Sequence, residues 1–202
     1  MYVDSHAHLA RNPEHLEDMA NNSVVEQVWL LDISFYTSGR VVELATPEEI
    51  LEAARRYPGF YIPFGFLDFT KGPDIVDRLK DKGFVGLKAI RPAHPYDDER
   101  YFPFYERAEK LNMPIVFHTG VVSRATRSML TPGLSTNSSN MRPGYAMGIA
   151  AAFPELTLVL AHLGAPWGEE AFSAALSHPN IYLDLSGGQS EFKVRWLNEY
   201  LH

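Results

Sequence analysis

The segment Val3-Asp4-Ser5-His6-Ala7-His8 places two imidazoles two residues apart near the start of a 202-residue chain. In a strand, alternation sends Asp4, His6 and His8 to one face, with the two rings about 7 Å apart along the backbone. A neutral imidazole nitrogen binds zinc at roughly 2.0–2.1 Å, so two rings on one face can converge on a single ion. Two further histidines follow apolar runs: His118 after residues 114–117 and His162 after residues 156–161. Taken singly, each of these two reads as a structural histidine satisfied by hydrogen bonds. Four imidazoles gathered without a metal would repel one another on protonation and depress one another's pKa. A divalent cation removes that conflict. With no cysteine in the chain, the ion must be held by His, Asp, Glu or a modified Lys.

The bulk composition places these histidines in an ordinary globular domain. Hydrophobic residues make up 46% and charged residues 21%, and no linker or low-complexity tract divides residues 1–202, so one domain is expected. A formal net charge of −7 and a pI near 5.6, without a Lys/Arg run, argue against nucleic acid or an anionic membrane as main partner. Small molecules remain as partners. The start shows no basic region followed by an apolar one, and no apolar run is long enough for a membrane helix, so a cytoplasmic protein is expected.

The elements that must position the histidines alternate. Apolar runs near residues 1–4, 24–33, 60–66, 84–90, 114–117, 156–161 and 181–185 read as strands, each followed by a helical segment. Asn12-Pro13-Glu14 and Thr46-Pro47-Glu48-Glu49 carry helix-start signals, and Lys82-Gly83 a stop signal. Pro63 is an anomaly inside the third run. The connection over residues 119–140 is long enough to be a functional loop. Strict alternation calls for a parallel sheet covered by helices. A doubly wound sheet and a TIM-type (β/α)8 barrel both satisfy it. No G-x-G-x-x-G or P-loop favours the former, while histidines at the carboxyl ends of three strands favour the barrel. Seven βα units are present and the eighth strand is missing.

The motifs "VDSHAHL", "GLKAIRP", "PIVFHTG", "LVLAHLG" and "NIYLDLSG", in this order over nearly the whole chain, resemble the amidohydrolase superfamily. The resemblance is to its amidohydrolase-related branch, which includes aminocarboxymuconate-semialdehyde decarboxylase-like enzymes. It implies that His6, His8 and His118 hold one divalent ion such as zinc. His162 would then orient or activate water, or hold a second metal. The implied activity is hydrolysis of a small ester, lactone or amide, the alternative being non-oxidative decarboxylation of a small unsaturated or aromatic acid. The family pattern ends with an eighth strand whose Asp binds the metal. The chain stops before it, and neither Asp4 nor Asp184 substitutes for it by position. Truncation of a longer protein is therefore expected, with impaired activity, or a partner such as a second copy covering the barrel seam.

Lys88 reads as a carboxylated bridging lysine, as a cation for a substrate carboxylate, or as a lysine whose stem packs while its head reaches water. Arg91 is a candidate for forking onto an acidic substrate group. Arg124 and Arg127 share that geometry but read as solvated loop charges. His94 reads as structural or substrate-adjacent, and Trp167 as core or rim. The opening motif also looks like that of barrel deoxyribonucleases, but Lys88 stands where those carry glutamate and the acidic surface is wrong for a polyanion. A non-catalytic barrel is the remaining alternative.

Overall fold

The computed structural model describes residues 2–11, 14–22, 24–35, 43–122, 126–188 and 190–200. Among these, seven strands alternate with seven helices. The strands are β1 (Val3–Ala7), β2 (Gln27–Leu31), β3 (Tyr61–Phe66), β4 (Gly86–Ala89), β5 (Ile115–Phe117), β6 (Leu158–Leu160) and β7 (Ile181–Leu183). The helices are α1 (Glu14–Asn22), α2 (Pro47–Arg56), α3 (Ile75–Lys82), α4 (Phe102–Lys110), α5 (Tyr145–Ala152), α6 (Gly168–Ser177) and α7 (Ser190–Tyr200). All the strands lie in one parallel sheet in the order β1-β2-β3-β4-β5-β6-β7. A doubly wound sheet reverses direction at a switch point. This order never reverses, so every crossover advances the sheet the same way and it curls into an incomplete TIM barrel. Among the described residues no ladder joins β1 to β7.

Local chemistry accounts for the helices. Thr46 opens α2 with a capping box: Glu49 N donates to Thr46 Oγ1 at 3.3 Å and Thr46 N to Glu49 Oε2 at 2.7 Å. Acidic Glu48 and Glu49 lie in its first turn, and basic Arg55 and Arg56 in its last, each complementing the helix dipole. The expected cap at Asn12 and Pro13 lies outside the described residues. The paired strands are shorter than the apolar runs containing them. The run over residues 24–33 yields Gln27–Leu31, because its flanking residues pack without joining the ladder. Pro63 is accommodated because the β3–β4 ladder begins at Phe64 with Gly86, just beyond the missing N–H. No described helix is long and apolar enough to cross a membrane.

The two faces of the sheet carry separate cores. Toward the helices pack Val28, Leu30, Leu87, Ala89, Ile115, Phe117, Leu158 and Leu160. Toward the barrel interior pack Leu31, Phe64, Val116, Val159 and Ala161, with Trp29 and Ile62. Trp29 stacks on Phe64 at a centroid distance of 4.7 Å. Gly86 makes room for that ring, since a Cβ there would lie 2.1 Å from Phe64 Cε1. Lys88 pairs in register with Phe66 and Val116. Residues in register share a face, so Lys88 points inward beside Val116.

Candidate active site

The barrel brings the four histidines together. His6 comes from β1 and His8 just beyond it; His118 follows β5 and His162 follows β6. Ring centroids lie 5.1 Å apart for His6 and His8, 4.6 Å for His6 and His162, and 4.5 Å for His118 and His162. His162 occupies a 3-10 turn over Ala161–Gly164 with φ 65°, and Leu163 has φ 49°. Left-handed backbone at non-glycine residues persists where surrounding contacts hold it, and such strain gathers at functional sites. Here Leu163 N donates to Asp184 O at 3.0 Å, and Ala165 N to His162 O at 3.3 Å.

Asp184 joins the cluster as the hydrogen-bond partner of a histidine, a role distinct from that of the metal-binding Asp for which its position does not suit it. It follows β7, and its Oδ2 lies 2.5 Å from His6 Nδ1, with both side chains almost wholly buried. Its other oxygen accepts from Ser186 N at 2.5 Å. The signal missed is one of closure: the two residues are 178 positions apart and meet because the sheet curls. Beyond Asp184, Lys193 of α7 donates to the carbonyls of Leu185, Ser186 and Gly187, fixing the loop against which His162 rests. Gly187 has φ +82°, and a Cβ there would lie 2.7 Å from His162 Nδ1.

The acceptors assign the ring protons. His6 Nδ1–H faces Asp184, and His8 Nδ1–H donates to Leu31 O at 2.9 Å. His162 Nδ1–H donates to Ser186 O at 3.1 Å, so its Nε2 accepts from His118 Nδ1–H at 3.2 Å. In these tautomers His6, His8 and His118 carry their lone pairs on Nε2. His118 Nε2 is buried and has no hydrogen-bond partner among the described residues. His162 differs from His118, since its Nε2 already serves a ring.

Burial keeps His6, His118 and His162 neutral. It lowers the pKa of His6, with Lys88 adding to the effect and Asp184 opposing it. It takes His118 well below its ordinary value, Lys88 and His162 contributing. His162 falls to about 4 through burial, His6 and Lys88. Burial pushes Asp184 up, but hydrogen bonds from His6 and Ser186 outweigh it and hold the carboxyl well below the usual range. The pair is thus a neutral imidazole donating to a carboxylate, a charge-assisted bond. Burial lowers Lys88 to about 7, Asp184 opposing.

Deprotonated imidazoles are the form that ligates metal. The donor type, the protonation and the unpaired His118 Nε2 therefore fit a divalent ion. Among the described residues, no group of three or more His, Asp or Glu side chains is already disposed around a common metal position. A cavity of about 340 Å³ adjoins His118 and His162, lined also by Thr119, Val121, Val122, Ala165, Gly187 and Gly188.

The remaining expected residues fall elsewhere. Lys88 is wholly buried, and its Nζ has no hydrogen-bond partner among the described residues, so its head does not reach water. Arg91 is buried with φ 57° and donates from Nη1 to Ser135 O at 3.3 Å. It lines a different cavity, of about 190 Å³, with His94, Arg100 and Tyr101. His94 Nε2 accepts from Arg100 Nη1 at 2.6 Å. Arg127 is exposed, and Arg124 lies outside the described residues. Trp167 carries the Arg142 guanidinium 5.3 Å over its ring.

Solved structures share this architecture. An uncharacterized TIM-barrel protein from Bordetella bronchiseptica superposes with a TM-score of 0.62 at 21% identity, over 84% of this chain and 57% of its own. A 5-carboxyvanillate decarboxylase mutant from Novosphingobium aromaticivorans, with bound manganese and a nitrobenzoic acid, gives 0.55 at 15% identity over 82% and 52%. A protein from Acinetobacter baumannii, described as a probable 2-pyrone-4,6-dicarboxylic acid hydrolase with citric acid bound, gives 0.57 at 16% identity over 98% and 79%. At these identities the likeness is one of fold. Among curated proteins, UvrABC system protein A of Mycobacterium tuberculosis (strain CDC 1551 / Oshkosh) is 27% identical over 149 residues. That match takes in 71% of this chain but 14% of the mycobacterial protein. The amidohydrolase family model matches residues 3–201. That span runs from the first strand to the last helix and includes every histidine of the cluster, so the chain belongs to the amidohydrolase family.

Proposed function

We propose that the protein is a metal-dependent hydrolase in which His6, His8 and His118 hold one divalent ion, zinc or manganese, at the carboxyl ends of β1 and β5. The observation that carries this is the proton assignment: the three expected ligands bear lone pairs on Nε2, while His162 is committed to another ring. When bound, such an ion supplies Lewis acidity toward a carbonyl oxygen and activation of water. The chain's own residues do the rest. Asp184 orients His6 through its Nδ1–H, as carboxylates do behind metal-bound histidines. His162, unprotonated at neutral pH, accepts from His118 Nδ1–H and so holds that ring with its Nε2 lone pair turned away from it. Arg91 and the protonated fraction of Lys88 provide positive potential for a substrate carboxylate.

Decarboxylation of a small aromatic or unsaturated acid is the second reading, supported by the fold shared with the manganese-containing 5-carboxyvanillate decarboxylase. Purified protein would be analysed for divalent metal and assayed in parallel for lactone opening and for carbon dioxide release. Bound metal with lactone opening that His118→Ala abolishes is the expected result. Carbon dioxide release alone transfers the proposal to the second reading, and protein that neither contains nor gains metal overturns both.

A further inference from the structure

Lys193 is poorly explained by the helix that carries it. It lies in the first turn of α7, the end at which the helix dipole disfavours a cation, and it is 5% exposed. Its ammonium is aimed instead at the loop after β7. Nζ donates to Leu185 O at 3.1 Å, to Ser186 O, and to Gly187 O at 2.9 Å, so its three N–H groups meet three consecutive carbonyls. The middle oxygen also accepts from His162 Nδ1–H at 3.1 Å. Ser186 offers that ring nitrogen a second group, since its Oγ lies 3.0 Å from Nδ1. The two groups differ in kind: a carbonyl oxygen only accepts, whereas a hydroxyl can also donate. Facing the carbonyl, Nδ1 carries the proton, so Nε2 accepts from His118 Nδ1–H. His118 then keeps its lone pair on Nε2, which is buried and has no hydrogen-bond partner among the described residues. Facing a donating hydroxyl, His162 Nδ1 would hold the lone pair. Its Nε2–H would then donate to His118 Nδ1, and the His118 proton would sit on Nε2.

We propose that Lys193 is a positioning residue that sets the tautomers of His162 and His118 by pinning the Ser186 carbonyl in front of His162 Nδ1. The carbonyl oxygen has two lone pairs, one for the ammonium and one for the ring N–H. Three carbonyls held at one point cannot turn away singly. Gly187, with φ +82° and no Cβ, lets the loop pass close to the ring. Exchange between the two tautomers changes no charge. One proton passes from His118 Nδ1 to His162 Nε2 along their hydrogen bond, His162 Nδ1 releases one to solvent, and His118 Nε2 takes one up. The consequence lies at His118, because only a ring with its lone pair on Nε2 can offer that atom to a cation. That consequence rests on the proposed reading of His118 as a metal ligand. The tautomers themselves rest on hydrogen bonds within the chain.

The test is nitrogen NMR of the histidine rings in the full chain without added metal, which distinguishes a protonated ring nitrogen from one bearing a lone pair. The unaltered protein is expected to show His118 and His162 protonated on Nδ1. Lys193→Met keeps the stem and removes the donors, and should shift the tautomer ratio of both rings toward Nε2–H by about tenfold, the scale of one lost hydrogen bond. Adding Ser186→Ala removes the competing hydroxyl but keeps the carbonyl, and should return both rings to Nδ1–H. A merely structural lysine would not be rescued in this way. Lys193→Gln and Lys193→Arg keep the comparison decisive if the methionine variant does not fold, the Nε2–H share being expected to be greater with glutamine than with arginine. Nε2–H rings in the unaltered protein, unshifted tautomers in the folded Lys193 variants, or a shift that Ser186→Ala does not reverse overturns the proposal. Zinc affinity, read by competition with a chelating dye, separates this proposal from the metal reading. Unaltered protein that takes up no zinc ends that reading and leaves the tautomer result standing, while tight zinc binding with unshifted tautomers in every Lys193 variant does the reverse.

Discussion

Asp184 and Lys88 show how a single buried group sets the behaviour of its neighbours. The Asp184 carboxylate holds His6 at 2.5 Å and accepts the Ser186 amide with its other oxygen. Asp184→Asn keeps the size but turns the charge-assisted bond into a neutral one. Carboxylates in this position are worth about 10–100-fold in metal affinity. Asp184→Asn is therefore expected to lower affinity for zinc or manganese by that factor, measured by competition with a chelating dye, while the fold is retained by circular dichroism. Lys88 has the opposite consequence, for stability. Its folded pKa of about 7 lies below its ordinary 10.5, so between these values the unfolded chain binds more protons, and stability rises with pH across that window. Below about 7 both states are protonated and the cost of charging the buried amine is borne in full. Lys88→Met is expected to raise the melting temperature at pH 7, and the gain should shrink steadily as the pH is raised toward 10. A gain that stays constant across that range would mean that desolvation of the amine is not its source.

At the scale of elements, strand ends and the turns after them do the positioning. The loop after β7 is shaped by Gly187, whose backbone is left-handed and whose missing Cβ leaves room for the His162 ring. Gly187→Ala is expected to cost about 1–2 kcal/mol from backbone conformation alone. It should also displace His162, so stability in urea and hydrolytic rate would fall together. A destabilised variant with unchanged rate would show that the ring does not depend on this loop. Sequence patterns were informative where a short apolar run ended in a chemically distinct residue. His118 and His162 stand out for this reason, and the Thr46–Glu49 capping box could be read directly. Strand lengths were overestimated, because apolar residues such as Val25 and Ile33 pack against the core without joining the ladder. Asp184 could not be found this way, since nothing local in "YLDLSG" reveals a partner near residue 6. The Arg91 cavity was also hidden, because it depends on how the loop after β4 meets residues 133–134.

The whole molecule is an incomplete barrel whose strands are held unevenly along the sheet. Strands β2, β3, β4, β5 and β6 are paired on both sides, while β1 and β7 each lack one neighbour among the described residues. Exposed Tyr2 and Val3 lie at one edge, Tyr182 and Leu185 at the other. Hydrogen exchange is expected to be slowest in β4 and β5 and faster in β1 and β7, following the gradient of pairing and burial. Uniform protection across all seven strands would mean that the edges are covered in solution. Where the ladder stops, the His6 and Asp184 side chains span the gap at the mouth, fastening the first strand to the segment after the last. The same imidazole thus serves as the buckle of the barrel and as a member of the reactive cluster. Occupancy of that mouth and tension at the rim become a single quantity: a guest that draws on His6 tightens the belt, and a loosened belt releases the guest.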